Sequence, residues 1–518
     1  MSRAQALFAG LLAGLVAGIA MTVTMLLLAW FGVATPLAII GDRLSVFIPP
    51  GPFLALMGRV GGYNHLKQLG VGSTMAGQLF VAALGGGIFG LLLRRDPARR
   101  ITLTSICVFV LLPIVAVTIG LWPVLGTSYR GFPIPVGRVV TLLGFALSVF
   151  VYERVLVTAF RFLIAPKTAE AVDFSPTIGR RALILSGLGL IIAGGGAALL
   201  RKLYRAATFS YDGTQYKGRI VQPITPNELF YCVTKNVIDP RVDVDLWHLE
   251  VDGLVQNRAT YRLRDLKGWS NEVEQETTLM CISNGLDAGL ISNAVWKGLP
   301  MRDLIDPAAP LANAVRVRLC GVDNYTDTIP LEKALEPTTL LAYEMNGKEL
   351  PDRHGYPLRA IVPGYFGEKH VKWLTRIELT TADAKGFYET QGWGPDFITP
   401  TRSRIDVPDH ESRFSIRELR GPIEIKGIAY GGDRGISRVE LSLDDGKTWD
   451  DADIYYAGGD LAWSLWSAHE GWSPTEPGDY IIGVRATDGE GAVQEWEPNR
   501  SPFSGATGFH KIVVHVTA

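Results

Sequence analysis

The spacing of apolar residues divides the chain into two parts. In about the first two hundred residues, long apolar stretches occupy residues 6–31, 71–93, 101–124, 139–157 and 182–200. Each is about twenty residues long, which at 1.5 Å per helical residue is enough to cross a bilayer core of about 30 Å. The pattern predicts a transmembrane α-helical bundle of about five spans within residues 1–205. A weaker stretch at residues 39–57 is broken by proline and is typical of an interfacial segment.

Beyond residue 205 the pattern changes to short periodic segments separated by turns. Residues 372–379 alternate between apolar and polar side chains, as a strand with one buried face does. Asn346-Gly347 is typical of the turn of a β-hairpin. From residue 416 onward, short strand-like runs are separated by Gly and Asp turns, a spacing that favours an immunoglobulin-like sandwich. We therefore predict an α+β domain at residues 206–415 and an all-β Ig-like domain at residues 416–518.

Basic residues lie in two of the loops between the predicted spans. The first loop, residues 94–100, carries four arginines, and the second carries Arg154, Arg161, Lys167, Arg180 and Arg181. Both loops should face the cytoplasm, because Lys and Arg are retained on that side. With an odd number of spans, this predicts a multi-pass protein of the cytoplasmic (inner) membrane. The N-terminus would lie inside and everything after Leu200 outside, in the periplasm.

A pair of arginines precedes the last predicted span. Residues 175–185, with Arg180-Arg181 at their centre, resemble a twin-arginine signal, which exports proteins already folded. Gly179 and Leu183 depart from the residues usual at their positions, and two arginines also satisfy simple cytoplasmic retention. The sequence leaves both interpretations open.

Composition removes several classes of function. The net charge of −1 and the absence of a basic stripe argue against a nucleic-acid partner. The predicted spans contain no histidine and the chain has no C-x-x-C-H, so haem ligation finds no support. The spans also lack a series of ionisable residues, which favours anchoring over ion transport. Of the four cysteines, Cys232 and Cys320 either pair or remain separate buried thiols.

Cys281 is the most informative of the cysteines. It follows an apolar, strand-like run and opens a loop rich in Gly, Asn and Ser. It has neither a second Cys at C-x-x-C spacing nor a neighbouring His, so the ligand count for a zinc or iron–sulfur site is not met. A lone thiolate suits a soft metal whose other ligands come from a cofactor. Taken by itself, the residue is more often an ordinary buried cysteine.

Several separated blocks extend this interpretation. They are Ile224-Thr225-Pro226-Asn227-Glu228-Leu229-Phe230-Tyr231, Thr278-Leu279-Met280-Cys281-Ile282-Ser283-Asn284, Trp296-Lys297-Gly298-Leu299-Pro300, Leu341-Ala342-Tyr343-Glu344-Met345-Asn346-Gly347, His354-Gly355-Tyr356-Pro357-Leu358-Arg359 and His370-Val371-Lys372-Trp373. In this order, over about residues 215–518, the sequence resembles the sulfite-oxidase family of molybdopterin-dependent oxidoreductases. With its N-terminal spans it is similar to the membrane-bound bacterial members.

The resemblance implies a molybdenum-molybdopterin (Mo-MPT) cofactor and a role for each matching residue. Cys281 would be the protein ligand of molybdenum, and Lys235 and Arg359 would complete the catalytic set. The cofactor-binding set would be Phe230, Tyr231, Asn236, Asp323, His354, Arg359, His370, Val371 and Lys372. Each also has a structural alternative. Arg359 and Lys372 could form ion pairs, and the two histidines could serve as structural hydrogen-bonding groups.

One departure from the family pattern concerns the substrate. Sulfite oxidases carry an arginine just after the Phe230 block, whereas this chain has Lys235, which keeps the charge but not the bidentate geometry. The resemblance therefore favours a small sulfur or nitrogen oxo-compound, sulfite-like or sulfoxide-like, with two-electron oxygen-atom transfer. It implies a separate cytochrome or quinone electron partner, since no cytochrome b5-like segment is seen. The C-terminal blocks resemble the family's dimerisation domain and imply a homodimer.

Two other functions remain as alternatives. The first is a cofactor-free extracytoplasmic binding or structural protein that has kept the fold. The second is a membrane electron-transfer subunit whose spans handle quinone. Cofactor content separates the first from an enzyme, and quinone-dependent reduction of the metal separates the second.

Overall fold

The structure is a computed structural model. It describes residues 2–35, 63–93, 102–122, 134–164, 213–236, 239–394, 396–501 and 503–518, and a few isolated positions between 39 and 132. These residues divide into two compact units. The first contains the helices between residues 3 and 164 together with Lys235, Asn236 and Asp239. The second contains residues 213–234 and the chain from Pro240 onward.

The first unit is helical. Its elements are α1 (Arg3–Trp30), α2 (Tyr63–Leu93), α3 (Thr102–Ile106), a π-helical turn (Cys107–Leu111), α4 (Leu112–Leu121) and α5 (Ile134–Ile164). Four stretches of these helices are long and apolar enough to cross a membrane: Arg3–Ala29, Gln68–Leu93, Thr104–Leu121 and Pro135–Ile164. They overlap the first four predicted spans. The fourth continues to Ile164, so Arg154 and Arg161 lie within α5 and not in the loop predicted for them. The fifth, residues 182–200, lies outside the described residues, as do Arg180-Arg181 and the basic loop at 94–100.

Small residues bring α1 and α2 together. A Cβ atom on Gly10 would overlap the backbone of Gly86, and one on Gly14 would overlap the carbonyl of Ala82. Gly10 and Gly14 lie one helical turn apart, so they present one smooth face that lets the two backbones touch. Packing of this kind is typical of helices that associate in lipid, where burial of apolar area gives no drive.

The second unit is built from strands with short helices between them. Its helices are α6 (Leu263–Leu266), α7 (Arg302–Ala308) and α8 (Leu331–Ala334). Its strands are β1 (Leu249–Gly253), β2 (Ala259–Tyr261), β3 (Val273–Met280), β4 (Ile291–Pro300), β5 (Arg316–Gly321), β6 (Thr326–Pro330), β7 (Leu340–Met345), β8 (Lys348–Glu349), β9 (Arg359–Ile361), β10 (Leu374–Thr380), β11 (Arg402–Val407), β12 (Ser412–Ser415), β13 (Lys426–Tyr430), β14 (Ile436–Ser442), β15 (Asp450–Ala457), β16 (Ser464–Ala468), β17 (Gly478–Asp488) and β18 (His510–Thr517).

These strands form three sheets. The first has the order β2-β1-β10-β5-β6, with β1 and β10 parallel. The second has the order β3-β4-β7-β8, with β9 also paired to β7. The third has the order β11-β13-β16-β15-β14-β17-β18-β12. Among the described residues from Arg402 to Thr517, the named elements are all strands. An α+β domain followed by an all-β domain is the arrangement that the sequence predicts. The all-β domain is the part of the chain that forms the third sheet, and it begins with β11 at Arg402, before the predicted boundary at residue 416.

The predicted hairpin is present between β7 and β8. Glu344 pairs with Glu349 and Met345 with Lys348, and the two turn residues have positive φ, 53° at Asn346 and 69° at Gly347. Positive φ at both central positions defines the turn type that matches the twist of paired strands, and Asn-Gly adopts it at the lowest cost. The four cysteines of the chain are all free thiols, so Cys232 and Cys320 are not paired.

Candidate active site

Cys281 stands where β3 ends. β3 pairs with β4 in antiparallel register from Val273 opposite Gly298 to Met280 opposite Ile291, and its last four residues are buried. A loop then returns the chain to β4, closed by a hydrogen bond from the Cys281 amide to the carbonyl of Leu290 (3.0 Å). The half-buried Cys281 sulfur lies 3.1 Å from the Ser283 hydroxyl. The strand end and the loop are those predicted from the sequence.

Aromatic rings enclose the space beside this strand end. Phe230 and Tyr231 are buried and stack with ring centroids 5.6 Å apart. The edge of Phe230 also meets Trp296 at 5.6 Å and the imidazole of His354 at 5.5 Å. Cys281 packs against the same apolar cluster. Phe230 and Tyr231, two of the predicted cofactor-binding residues, therefore belong to the cluster against which the cysteine packs.

Arg359 brings a buried positive charge to this cluster. Its guanidinium lies 4.8 Å above the Trp296 ring and donates to the backbone carbonyls of His354 (3.0 Å) and His370 (3.3 Å). Its Nε is buried and lacks a hydrogen-bond partner. Burial lowers the pKa of Arg359 to about 10. The group remains cationic at neutral pH and keeps one donor unused.

Tyr231 interacts electrostatically with both Arg359 and Cys281. Burial raises the pKa of its phenol well above the ordinary value, and the charges of Cys281 and Arg359 act on it in opposite directions. Burial likewise raises the pKa of the Cys281 thiol to about 11. Without a cation beside it, the sulfur therefore holds its proton.

The two predicted histidines are neutral and bonded to the backbone. Nε2 of His354 lies 2.9 Å from the carbonyl of Asn227. Nδ1 of His370 accepts from the Val362 amide (3.1 Å), and its Nε2 lies 3.2 Å from the carbonyl of Tyr365. Burial, with the charge of Arg359 next, lowers the pKa of each to about 3. Both imidazoles hold loops in place. Their predicted contact with a cofactor remains a prediction.

Lys372 is a cation with neutral partners. Its Nζ donates to the carbonyls of Arg353 (3.1 Å) and Val233 (3.4 Å), lies 3.7 Å from the Cys232 sulfur, and stands 4.4 Å from the centre of the Trp373 ring. The ion-pair alternative is therefore not what the described residues show for Lys372. Its charge stays available to an anion.

The remaining predicted residues fall into two groups. Val371 is buried and its carbonyl accepts from the Ala360 amide, and buried Asp323 accepts the Tyr325 amide at 3.1 Å. Lys235 and Asn236 belong to the first compact unit, where Asn236 is buried and Lys235 half-buried. The predicted roles of all four residues remain predictions.

Glu368 is a site residue that the sequence did not single out. Both of its carboxyl oxygens are buried without a hydrogen-bond partner. It follows Gly367, where a Cβ atom would overlap the Tyr231 hydroxyl and lie 3.3 Å from the Met280 carbonyl. Burial, and then the charge of Asp327, raises its pKa to about 8. A single acid in a polar loop looks like a surface residue, so the sequence contains no signal for this position.

A buried polar network supports the Glu368 loop. The Tyr325 hydroxyl lies 3.0 Å from the Glu368 carbonyl and 2.9 Å from Asp327. Asp327 also accepts from Lys369 at 2.6 Å, and both of these ions are almost fully buried. Lys369 reaches Glu389 at 3.3 Å. Because the Tyr325 hydroxyl of this network binds the Glu368 carbonyl, the network positions the backbone at Glu368. Removing either Asp327 or Lys369 would leave an uncompensated buried charge beside it.

Glu368→Gln is expected to stabilise the protein at neutral and higher pH. Because the folded pKa, about 8, exceeds the ordinary 4.5, the unfolded chain ionises first and wild-type stability falls as pH rises between those values. Glutamine cannot ionise, so the variant's advantage in unfolding free energy is near zero at pH 4.5 and grows to about 4 kcal/mol at pH 7.5. Thermal unfolding at both pH values measures it. The exposed Glu418→Gln is the control, and an equal difference at both pH values would contradict the assignment.

Comparison with known proteins follows the division of the second unit. Residues 236–388 match the family model of the oxidoreductase molybdopterin binding domain. Residues 397–517 match that of the Mo-co oxidoreductase dimerisation domain. The first model spans Cys281, Arg359 and Glu368, and the second begins just before β11.

Similar proteins include sulfite oxidases and nitrate reductases. The chain is 34% identical to the sulfite oxidase of Gallus gallus, over 52% of this chain and 68% of that protein. It is 31% identical to the sulfite oxidase of Arabidopsis thaliana, over 44% of this chain and 70% of that one. With the NADPH nitrate reductase of Aspergillus niger it shares 30% identity over 52% of this chain, and it spans only 39% of that enzyme.

A solved structure, the sulfane dehydrogenase SoxCD from Paracoccus pantotrophus, superposes with a TM-score of 0.49 at 22% identity, over 58% of this chain and 85% of that one. The two domain models and the two sulfite oxidases agree on one family. The chain belongs to the sulfite-oxidase family of molybdopterin-dependent oxidoreductases.

Proposed function

We propose that this protein is a membrane-anchored Mo-MPT oxidoreductase that acts outside the cytoplasm. Its reaction would be a two-electron oxygen-atom transfer to or from a small sulfur or nitrogen oxo-compound. The observation that carries the proposal is the position of the Cys281 sulfur. It lies at a strand end and packs against the aromatic cluster over which Arg359, a buried cation with an unused donor, is placed. The charge of Glu368, a buried acid with unused acceptors, acts on the same sulfur.

The residues present fit an anionic pterin cofactor. A buried polar atom without a partner costs about 1–3 kcal/mol, so a folded protein rarely keeps one without a use. Here the orphaned atoms are the Arg359 Nε donor and the two Glu368 oxygens, in the same cluster as the cysteine. A cofactor carrying phosphate oxygens and ring N–H groups would satisfy both kinds.

Each residue would then have a specific task. Arg359 and Lys372 would bind the anionic part of the cofactor, Arg359 by its planar donor fork and Lys372 as a compact charge. Phe230 and Tyr231 would exclude water on one side. His354 and His370, being neutral, would fix the loops that carry these groups. Asn236 and Asp323 would form hydrogen bonds with the cofactor, and Val371 would contribute to the shape of its site.

We assign proton movements to two groups, the Cys281 thiol and the Glu368 carboxyl group. The Cys281 sulfur would lose its proton on becoming a metal ligand, because metal binding requires the thiolate. Molybdenum, when bound, would supply the two-electron redox chemistry of oxygen-atom transfer. Oxygen-atom transfer also takes up or releases protons as water is formed or consumed. Glu368, protonated below about pH 8, would hold such a proton within the enclosed cluster.

Substrate selection would depend on the positive charge of Lys235, whose ammonium lacks the bidentate geometry of a guanidinium. Lys235 stands where sulfite oxidases carry an arginine, and an ammonium binds a single oxygen well but not a planar pair of oxygens. We therefore propose a sulfoxide-like or N-oxide-like substrate ahead of sulfite. A viologen-linked reduction assay with sulfoxides and N-oxides, and a ferricyanide-linked oxidation assay with sulfite, would test this. Turnover of sulfite alone would contradict it.

The membrane arrangement can be tested independently. We propose that the N-terminus lies inside and that residues after 200 lie outside, because the basic loops flank the spans on one side. Alkaline phosphatase fused after Ala518 should be active, and a fluorescent protein fused there should be dark if export proceeds unfolded. Active fluorescence inside the cell together with inactive phosphatase would overturn the proposed orientation.

The same fusion separates the two interpretations of Arg180-Arg181. Replacing both by lysine keeps the positive charge but removes the twin-arginine pair. If the pair is an export signal, the phosphatase domain should no longer be exported. If it only marks the cytoplasmic side, export should continue unchanged.

We also propose two partners. The match to the dimerisation domain supports a homodimer, and electrons would be exchanged with a separate cytochrome or quinone system. Light scattering of the detergent-solubilised protein measures the first. Reduction of the molybdenum by quinol in isolated membranes measures the second.

A further inference from the structure

The all-β domain holds the backbone on both sides of Cys281. Before the cysteine, the Thr278 carbonyl on β3 accepts from the Tyr430 hydroxyl at 2.8 Å, and the Thr278 hydroxyl accepts from the Trp463 amide at 2.9 Å. The Thr278 amide donates to the Leu461 carbonyl at 3.0 Å. One residue of β3, three positions before the sulfur, is therefore hydrogen-bonded in three ways to the all-β domain.

After the cysteine, two arginines of β11 hold the loop. Arg402 donates to the carbonyls of Asn284 (2.9 Å) and Gly285 (2.7 Å), and Arg404 donates to that of Ala288 (2.6 Å). Alternate residues of a strand point to the same face, so Arg402 and Arg404 reach the loop together. The loop from 281 to 290 is thus attached at three carbonyls.

Arg402 differs from Arg404 in what balances its charge. Arg404 is paired with buried Asp406 at 2.8 Å. Arg402 is equally buried, but its hydrogen-bond acceptors are the two loop carbonyls, with the Met280 sulfur at 3.5 Å. A buried guanidinium is costly, and here the groups that compensate it are those of the Cys281 loop. The arginine and the loop conformation therefore depend on each other.

Apolar contacts also join the residues around Cys281 to the all-β domain. Met280 and Ile282, which flank the cysteine, belong to a core shared with Ile428, Tyr430, Trp463 and Leu465 of the all-β domain. Cys281 itself packs with the cluster of Phe230, Tyr231 and Trp296. The residues on either side of Cys281 are thus anchored in one core while its sulfur contacts the other.

We infer that the all-β domain is part of the cysteine site, with Arg402 as a positioning residue that fixes the Cys281 loop. The inference rests on the proposed function only in taking Cys281 as the metal ligand. The domain whose family name describes dimerisation would then have a second task within its own chain. It would hold the sulfur where the cofactor meets it.

The test compares Arg402→Gln and Arg402→Lys with wild type. In full-length protein from a host that makes no molybdopterin, the rate of Cys281 alkylation by iodoacetamide is followed by peptide mass spectrometry. A half-buried thiol reacts through local opening, so its rate reports how firmly the loop is closed. Arg402→Gln is expected to raise the rate about tenfold, the factor for a loss of about 1.4 kcal/mol in loop closure. Arg402→Lys keeps the charge but loses the planar fork whose two nitrogens reach the two carbonyls, so its rate should fall between.

Two further variants make the test specific. Tyr430→Phe removes only the hydroxyl bonded to Thr278 and should raise the Cys281 rate by a smaller factor. It also provides the test if the Arg402 variants fail to fold. Arg434→Gln is the matched control, because Arg434 lies in the same domain but binds Asp488 and Thr399. It should leave the Cys281 rate unchanged, and Cys320 alkylation should stay constant in every variant.

The loaded enzyme gives a second readout. If Arg402 positions the sulfur, Arg402→Lys should shift the Mo(V) electron paramagnetic resonance spectrum and lower kcat more than it changes KM. Unchanged Cys281 alkylation in both Arg402→Gln and Tyr430→Phe would overturn the inference. Because the alkylation is measured without cofactor, that failure is distinct from a protein that proves to bind no molybdenum.

Discussion

Cys281→Ser will abolish turnover and leave the fold intact. The serine hydroxyl is nearly the size of the thiol and occupies a half-buried position, so it costs little in packing. A hydroxyl is a much poorer ligand for a soft metal site than a thiolate is. Residues that merely support a metal ligand already change activity by about 10–100-fold, so loss of the ligand itself should exceed about a hundredfold.

The measurement is the reductase or oxidase rate per folded protein, with circular dichroism and thermal unfolding to establish the fold. Cys320→Ser is the matched control, since Cys320 is also a half-buried free thiol but lies on β5. The control should retain full activity. Activity of Cys281→Ser near that of wild type would refute the assigned role of the sulfur.

Arg359→Lys is expected to weaken cofactor binding by about 10–100-fold, because a buried hydrogen bond to a charged group contributes about 1.5–3 kcal/mol. Lysine keeps the charge, but its donors all lie on one nitrogen and cannot match the three separate guanidinium nitrogens that reach the His354 carbonyl, the His370 carbonyl and the cofactor. The orphaned Nε, which we assign to the cofactor, is lost outright.

Pterin retained after dialysis, measured by fluorescence of its oxidised form, gives the result for Arg359→Lys. The control is Arg376→Lys on β10, where the arginine is partly exposed and bonded to Asp252. Its pterin content should equal that of wild type. If Arg359→Lys also retains the full pterin content, Arg359 serves the loop and not the cofactor.

The sequence predicts the elements whose pattern is local. Apolar stretches of about twenty residues predict the four membrane-length helical stretches among the described residues, because length and hydropathy alone decide whether a helix suits a bilayer. Asn346-Gly347 predicts its hairpin, because few residue pairs tolerate positive φ at both positions. Cys281 is recognisable because a lone cysteine after a strand, within a series of blocks, is distinctive.

Other site residues depend on contacts between distant segments. Glu368 looks like a solvated loop acid and becomes buried only when its loop packs beside Tyr231. Arg402 lies on a strand of another domain, more than a hundred residues from the loop that it holds. His370 matches a family block, yet both of its ring nitrogens bond to the backbone, a distinction that requires the folded loop. Burial and hydrogen bonding of this kind are tertiary properties without a local pattern.

The central claim is that this chain holds a molybdenum-pterin cofactor through Cys281. The most direct test is the molybdenum and pterin content of the purified full-length protein from a host that makes the cofactor, measured beside Cys281→Ser. We expect about one molybdenum and one pterin per wild-type chain, and in the mutant an altered metal signal with pterin still present. Wild-type protein that contains neither would contradict the account and indicate a binding protein that has kept the fold without the chemistry.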